Sequence, residues 1–260
     1  MFQQQAPAAW KFLDASRNRG GRTVVDPIPS QSEPGRFKRY HGVPTVELPA
    51  VDLPTRSLGQ TLTERCSCRQ FNGQALALRE VATLLHSAYG IHGVSQTPGG
   101  ELSERPIPSG GARFPLEVYL LVRRVDSIDR GIYHYAPQRS LLEQLRGPVP
   151  WPCVTHIFLD QPYLATAGAL MIITGAAERT LKRYGERGFR FLWLEAGHLA
   201  QNVVLTSAAL DLGCLPLAGF YDNVLADLLG TALDTEPPLY ALALGHHTST
   251  DRGERRSAAT

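Results

Sequence analysis

Two arginines with a serine midway between them form the first pattern in this sequence that could bind a ligand. Arg65, Ser67 and Arg69 alternate with Cys66 and Cys68. Two guanidinium groups and a hydroxyl can share the oxygens of one phosphate, because arginine presents its N–H donors as a planar fork. The same residues also occur in solvated basic turns, and the pattern alone favours that simpler interpretation.

Two further segments are rich in small residues. The stretch 105–115, RPIPSGGARFP, contains Pro108, Ser109 and Gly110 directly before an apolar run. Small residues let the backbone approach a planar ligand, and prolines fix the shape of a turn. The stretch 215–220, LPLAGF, contains Ala218 and Gly219, and a backbone N–H there could donate to a ligand heteroatom. The simpler alternatives are a loop that leads into a strand and an ordinary turn.

Helix and strand patterns surround these three segments. Residues 78–88 place four apolar side chains on one helical face, and Gly90 follows as a stop signal. Residues 191–212 are apolar on nearly all sides, which predicts a central helix buried on most faces. Strands are predicted at 116–125, 131–135, 170–174, 213–217 and 239–244, and short helices at 8–16 and 58–64. Because these elements do not alternate as regular βαβ units, the pattern favours an α+β domain.

The two ends of the chain differ from its centre. Six prolines lie between residues 18 and 57, and each pushes the residue before it toward extended backbone. We therefore predict a proline-rich N-terminal arm at 1–57, one ordered domain at 58–246, and a polar C-terminal tail at 247–260.

Composition excludes several classes of protein. The 260 residues carry a net charge of +2, and 43% of them are hydrophobic. This hydrophobic content excludes a mainly disordered chain. The small net charge argues against a general nucleic-acid binder, which needs a concentrated positive field.

Common catalytic and metal-binding motifs are absent from the sequence. It contains no G-x-G-x-x-G, Walker A, H-E-x-x-H or G-x-S-x-G motif, and its histidines lack metal-ligand spacing. Its four cysteines do not form a disulfide framework, so we predict neither a metal site nor reactive thiols. The N-terminus lacks the regions of a secretory signal, and the longest uncharged stretch, 161–177, is too short and polar to span a membrane. A cytoplasmic location is the expectation.

Taken together and in this order, the segments resemble one known family. ERCSCRQF, PSGGARFPLEVYLLV and EAGHLAQN are similar to stretches of the nitroreductase-like FMN flavoproteins. The resemblance is to the SagB-type dehydrogenases, which oxidise azoline rings in modified peptides. It covers roughly residues 58–245, and the second and third stretches are the more specific.

The resemblance implies a nitroreductase-like α+β sandwich with a long central helix, in a domain-exchanged homodimer with FMN at the subunit interface. By motif match, Arg65, Ser67 and Arg69 would hold the phosphate and ribityl chain of FMN. A basic residue near the C-terminus often completes this phosphate site in the family, and Arg252 or Arg255 could serve here. The dianionic phosphate suits paired arginines.

The same resemblance assigns the two small-residue segments to the flavin ring. Pro108, Ser109 and Gly110 would lie against the isoalloxazine bound mainly by the other subunit. Ala218 and Gly219 would lie beside the ring, with the Gly219 amide near the reactive N5 edge. Flavin supplies the redox chemistry itself, which explains why no acid–base dyad stands out in the sequence.

One motif departs from the SagB-type pattern. Azoline-oxidising members carry a Lys-Tyr pair that assists proton removal, and the aligned residues here are Arg183 and Tyr184, with Lys182 one position earlier. Tyr184 is a candidate acid–base residue, whereas Arg183 is a poor base because guanidinium stays protonated. The departure weighs against azoline oxidation, and the alternative for this segment is a solvated helix end.

The polar residues of EAGHLAQN have a simpler interpretation than catalysis. Glu195 and His198 lie in the predicted long helix, and this stretch resembles the family's helix at the dimer interface. A buried helix needs its polar groups paired. We therefore predict that both side chains form hydrogen bonds and take no part in the chemistry.

The function that follows from the resemblance is hydride transfer between a substrate and flavin N5, with oxygen or a nicotinamide as the second redox partner. The first choice is a SagB-type dehydrogenase of a peptide-derived or natural-product heterocycle, with a cyclodehydratase as a possible partner. One alternative is an NAD(P)H-dependent reductase of nitroaromatics or quinones. Another is a non-catalytic flavin-binding subunit of a peptide-modifying complex.

Overall fold

One antiparallel sheet of seven strands organises the computed structural model of the chain, which describes residues 2–17, 37–97 and 100–248. The strands are β1 (Thr45–Glu47), β2 (Gly93–Thr97), β3 (Gly100–Glu104), β4 (Leu116–Val122), β5 (Gly131–Ala136), β6 (Leu141–Arg146), β7 (Ala169–Gly175), β8 (Gly213–Leu217) and β9 (Pro238–Gly245). Their order in the sheet is β1-β6-β5-β4-β7-β9-β8, and β2 and β3 form a separate hairpin. Both edges of the sheet are therefore short strands.

The helices flank this sheet. They are α1 (Phe2–Gln5), α2 (Pro7–Ala15), α3 (Leu58–Glu64), α4 (Leu78–Tyr89), α5 (Trp151–Ile157), α6 (Glu178–Tyr184), α7 (Glu186–Ala209) and α8 (Asp222–Leu229). Helices α4 and α7 cover one face, and α5 and α8 lie on the other. This helix–sheet–helix arrangement confirms the predicted α+β sandwich with a long central helix.

Helix α4 forms where the apolar spacing predicts it. The four apolar residues expected on one face are all buried, and the helix ends at Gly90. The Glu80 carboxylate accepts a hydrogen bond from the backbone N–H of Ala77 at 2.8 Å, which satisfies one of the free N–H groups of the first turn. Burial of each leucine on this face contributes roughly 1.5–3 kcal/mol.

Helix α7 differs from its prediction in both bounds and burial. It begins at Glu186, after Gly185 with φ +53°, and it ends before Asp211, which has φ +64°. The predicted bounds of 191–212 are therefore wrong, because polar residues continue the first turns of the helix and a left-handed residue ends it. Trp193 and Leu194 are 50% and 59% exposed, so one side of α7 faces outward. The prediction of burial on most faces does not hold for that side.

The second face of the sheet is half apolar and half polar. Its apolar half packs against α5 and α8. Its polar half is covered by residues of the N-terminal arm. The Lys38 ammonium donates to Tyr119 Oη at 2.8 Å and to Glu236 Oε2 at 2.7 Å, and the Tyr40 ring lies edge-on to His134 at 5.2 Å.

The arm also extends the sheet. Residues 45–47 pair with β6 in the register Thr45↔Glu143 and Val46↔Leu142. Further toward the N-terminus, the Arg190 guanidinium donates to Leu13 O and to Ser16 Oγ, each at 2.8 Å, and so holds the C-terminal end of α2 against α7. A cation there complements the helix dipole. Residues 18–36 of the predicted arm lie outside the described residues.

A buried ionic cluster lies beneath the arm. The two ring nitrogens of His134 are each 2.8 Å from a carboxylate oxygen, one of Glu117 and one of Glu143. Arg179 pairs with Glu117 and Arg139 pairs with Glu143. Burial alone would lower the pKa of His134, but the two carboxylates raise it above its ordinary value. Burial would likewise raise the pKa of each glutamate, but His134 and the arginines hold both below their usual range.

Replacing the central histidine should destabilise the fold. We expect His134→Gln to lower the free energy of unfolding by about 3–5 kcal/mol, because two buried carboxylates lose a cationic partner. Urea denaturation at pH 6 measures this, with His156→Gln, at an exposed histidine, as the matched control. The loss should shrink as pH rises through the raised pKa of His134 and as pH falls through the lowered pKa values of the glutamates. Equal effects of the two substitutions would contradict the assignment.

Candidate functional site

The arginine-bearing segment follows α3 directly and lies beside the start of β8. Helix α3 ends at Glu64 with Arg65 as its C-cap, and the backbone N–H of Cys68 donates to Cys214 O at 2.9 Å. The C-terminal strand continues along the same segment, since Thr248 N donates to Gln70 O at 3.0 Å. These contacts place residues 65–70 between β8 and the last described residues of the chain.

The two arginine charges of this segment are available to a ligand. Arg65 and Ser67 are half-buried and Arg69 is exposed, and neither guanidinium forms an ion pair within the described ranges. A cleft on this segment is lined by Cys66 and Cys68, not by the three predicted phosphate ligands. The predicted C-terminal phosphate ligand, Arg252, lies outside the described residues, as do all of residues 249–260.

The loop before β4 is held by a carboxylate of α7. Glu195 Oε1 accepts hydrogen bonds from Ser109 Oγ at 3.0 Å and from the backbone N–H of Gly110 at 3.1 Å. Ser109 Oγ in turn accepts from the backbone N–H of Phe114 at 2.8 Å. Pro108, which precedes this network, is exposed. The predicted ring-binding residues therefore lie on a loop that is fixed from within the same chain.

The end of α6 meets this loop. A Cβ on Gly111 would lie 2.5 Å from the Tyr184 hydroxyl, and a Cβ on Gly110 would lie 3.0 Å from the Phe191 ring. Gly111 also has φ +62°, a conformation that favours glycine. Tyr184 is half-buried and packs edge-on to Phe191, whereas Arg183 is exposed beside it. The structure thus brings together two segments that are about 70 residues apart in sequence.

The third segment follows the end of β8. Ala218 and Gly219 are exposed, and a Cβ on Gly219 would lie 3.1 Å from Leu159 Cδ1. Leu159 and Asp160, which follow the C-cap residue of α5, both have left-handed backbone, with φ +59° and +53°. A hydrogen bond of 2.9 Å from Tyr221 N to Ile157 O ties the two segments together. Strained residues therefore border the exposed Ala-Gly pair.

Within one chain, the first and third segments share a strand while the second lies apart. Residues 65–70 form a backbone hydrogen bond at the start of β8, and residues 218–219 follow its end. At the usual strand rise, these two segments are separated by about 15 Å. The cleft beside the first segment contacts Val204 and Ala208 of α7, whereas the second segment contacts Glu195. These positions on α7 are separated by about 14–20 Å.

The hydrogen-bond partners of Glu195 could not be predicted from the sequence. Glu195 was expected to form hydrogen bonds at a subunit interface, but its partners lie in its own chain. The side chain is 3% exposed, and burial raises its pKa to about 7 against the opposing hydrogen bonds from Gly110 and Ser109. An acidic residue in an apolar stretch of helix was the available signal, but its partner could not be read from local sequence. His198 is exposed.

Titration of Glu195 should appear in the stability of the protein. Because its folded pKa is raised, the unfolded state loses the proton first, and the stability contributed by this group falls as pH rises from about 4.5 to 7. The stability of the unsubstituted protein relative to Glu195→Gln should therefore fall by up to about 3 kcal/mol over that interval. Chemical denaturation at several pH values measures this, with Glu186→Gln, exposed on the same helix, as the control. A difference that does not vary with pH would contradict the burial argument.

The antiparallel sheet, the long helix layered across it and the glycine-bearing loops at its rim together define an α+β sandwich. The chain belongs to the nitroreductase family, whose sequence pattern matches residues 62–246. Within the described residues, no helix is both long enough and apolar enough to cross a membrane.

Two relatives illustrate the range of the family. The chain is 34% identical over 201 residues to Putative nitroreductase MJ1384 of Methanocaldococcus jannaschii. The alignment covers 77% of this chain and 96% of that protein. It is 29% identical over 184 residues to the microcin B17-processing protein McbC of Escherichia coli, over 65% of this chain and 62% of McbC. The second similarity agrees with the resemblance to the peptide-processing branch.

Solved structures show the same fold. The Escherichia coli microcin synthetase McbBCD complex, with truncated pro-MccB17 bound, contains a chain that aligns with a TM-score of 0.62 and 22% identity, over 95% of this chain and 94% of that one. A Desulfovibrio desulfuricans protein in complex with FMN aligns with a TM-score of 0.51 and 16% identity, over 75% of this chain and 89% of that one.

Proposed function

We propose that this protein is an FMN-dependent oxidoreductase that moves a hydride between a substrate and flavin N5. The observation that carries the proposal is the arrangement along β8, with paired arginine charges at the start of the strand and exposed Ala218 and Gly219 after its end. FMN has the same division, with a dianionic phosphate at one end and a flat ring at the other. When bound, FMN would supply the redox chemistry.

The residues present fit this cofactor. Arg65 and Arg69 carry charges with no ion-pair partner among the described residues, and Ser67 lies between them. The Gly219 N–H donates no hydrogen bond within the described part of the chain, so it is free to meet a ring heteroatom. Arg252 is four positions beyond Thr248, which lies beside Gln70, and we propose it as the third phosphate ligand.

An exposed apolar surface beside the second segment supports a homodimer. As the resemblance implies, we propose that Ser109 and Gly110 contact the flavin ring bound by a second copy. Trp193 and Leu194 expose an apolar surface on α7, close to Glu195 and the loop that it holds. Burial of that surface between two copies would favour association.

For the substrate we propose a peptide-derived or natural-product heterocycle, with a cyclodehydratase as partner. McbC is by name a microcin B17-processing protein, and the similar solved chain belongs to a complex with a truncated pro-microcin. Tyr184 supports the proposal because its hydroxyl lies at the glycine loop, where it could move a proton. Arg183, in the position of the family's lysine, would contribute charge and not basicity.

That arginine also favours two other candidate functions. If no base is needed beside Tyr184, the same site suits NAD(P)H-dependent reduction of nitroaromatics or quinones. If the site has lost its chemistry, it suits a non-catalytic flavin-binding subunit of a peptide-modifying complex.

Experiments on the purified protein distinguish these functions. Anaerobic bleaching of bound FMN by NADPH indicates the reductase, and oxidation of a cyclised peptide indicates the dehydrogenase. Neither reaction with bound FMN indicates the subunit, and failure to bind added FMN refutes all three.

Loss of one arginine should weaken cofactor binding. We expect Arg65→Ala to reduce the free energy of FMN binding by about 1.5–3 kcal/mol, the usual contribution of a charge-assisted hydrogen bond. Fluorescence titration of the apoprotein with FMN measures the change. Arg79→Ala, which removes an exposed arginine of α4, is the matched control and should bind normally. Unchanged affinity in Arg65→Ala would remove this residue from the phosphate site.

Loss of the tyrosine hydroxyl should slow the reaction without releasing FMN. We expect Tyr184→Phe to lower kcat for peptide heterocycle oxidation by about 10²–10⁴-fold, the range for general acid–base catalysis. Stopped-flow measurement of flavin reduction by substrate follows the step directly. Tyr163→Phe, at a half-buried tyrosine elsewhere, controls for loss of a phenol. An unaltered rate in Tyr184→Phe would exclude it from proton transfer.

A further inference from the structure

We propose that Glu195 is a positioning residue, which holds the loop 109–114 in the conformation that presents Ser109 and Gly110 to the flavin of the partner copy. This inference rests on the proposed function for its consequence, but the effect on the loop itself is independent of any cofactor. It concerns a side chain that touches neither the proposed phosphate site nor the residues proposed to move protons.

The contacts converge on one oxygen atom. Glu195 Oε1 accepts from the Ser109 hydroxyl and from the Gly110 N–H, and the same hydroxyl accepts from the N–H of Phe114. The carboxylate therefore joins both ends of the loop to α7, since residue 109 opens it and residue 114 closes it. A side chain on a rigid, packed helix is a better support than one on another loop.

The conformation that is held costs free energy. Ala112 and Phe114 have φ +52° and +44°, and neither is a glycine. Left-handed backbone is strained for such residues. A loop with two such residues needs outside contacts to keep its shape, and the carboxylate hydrogen bonds supply them.

Several buried polar atoms around the loop form no hydrogen bond within the described residues. Glu195 Oε2 is buried and forms no hydrogen bond within the described residues, and the same holds for Nε and Nη1 of Arg105. The Arg105 guanidinium is stacked over the rings of Tyr89 and Phe114 at 4.2 and 4.7 Å. A buried carboxylate that is only half used for hydrogen bonding is costly for stability alone. The hydrogen bonds that this carboxylate makes to the loop explain why a glutamate occupies this position.

Hydrogen exchange of the apoprotein tests the support of the loop. In Glu195→Ala we expect the amides of Gly110 and Phe114 to exchange at least about tenfold faster, the effect of losing the hydrogen bonds that hold the loop, while amides of β7 keep their rates. Glu195→Gln keeps an acceptor at the same place and should restore at least half of the protection, on a logarithmic scale. Asp227→Ala, at an exposed acid of α8, controls for loss of charge.

The opposing outcomes are distinct. Exchange less than tenfold faster in Glu195→Ala, acceleration spread evenly over α7 and the sheet, or no recovery in Glu195→Gln would each overturn the proposal. If Glu195→Ala does not fold, Ser109→Ala removes the hydroxyl that joins Glu195 to Phe114. It should then accelerate exchange at Phe114 by the same tenfold, and a smaller effect would overturn the proposal.

Affinity for FMN tests the consequence. Glu195→Ala should raise the Kd for FMN at least tenfold, and Glu195→Gln should raise it less. Normal FMN affinity in a Glu195→Ala protein whose loop exchanges rapidly would refute the link between loop and cofactor. If the unsubstituted protein binds no FMN, the proposed function fails, while the exchange data still decide whether Glu195 holds the loop.

Discussion

Burial of the apolar side of α7 against the sheet is the interaction on which the arrangement of the candidate site depends. A helix of 24 residues extends about 36 Å, which is long enough to touch several separate loops. Its first turns hold α2, its middle holds the loop before β4, and its last turns border the segment that carries the arginines. Because one rigid helix makes all of these contacts, a single packing surface fixes the relative positions of α2, the loop before β4 and the arginine segment.

The two faces of the sheet are stabilised by different interactions. The face under α4 and α7 is apolar, and its stability comes from removal of side chains from water. The polar half of the other face buries His134 between two carboxylates, and such a cluster is stable only while each charge keeps its partner. Lys38 and Tyr40 of the arm complete the cover over that half. The arm thus contributes to the domain itself, through charge neutralisation and through strand β1.

The sequence allowed the apolar elements to be predicted more accurately than the polar ones. Strand β8 was predicted with its exact bounds, and α4 and β7 to within one residue at either end, because their apolar spacing is strong. Strand β6 and the hairpin of β2 and β3 were missed. Their segments, LLEQLR and GVSQT with GELSE, mix polar and apolar residues without a clear period, and their pairing partners decide the structure.

The candidate site was predicted in its residue types but not in its connections. The arginine segment, the glycine loop and the Ala-Gly pair were all identified from composition and resemblance. The hydrogen bonds from Ser109 and Gly110 to Glu195 join residues 85 and 86 positions apart, and contacts at this range depend on how the whole sheet is folded. Left-handed residues such as Ala112 and Leu159 carry no sequence signal either, because tertiary contacts impose their conformation.

Strand β8 lies at an edge of the sheet and has Pro216 as the fourth of its five residues. Proline has no backbone N–H to offer an incoming strand, so this edge is a poor template for addition of a foreign β-strand. The strand that joins the arginine segment to the Ala-Gly pair is thereby protected from edge-to-edge aggregation. An edge that resists such pairing leaves the exposed Ala-Gly pair at the end of the strand accessible to a ligand.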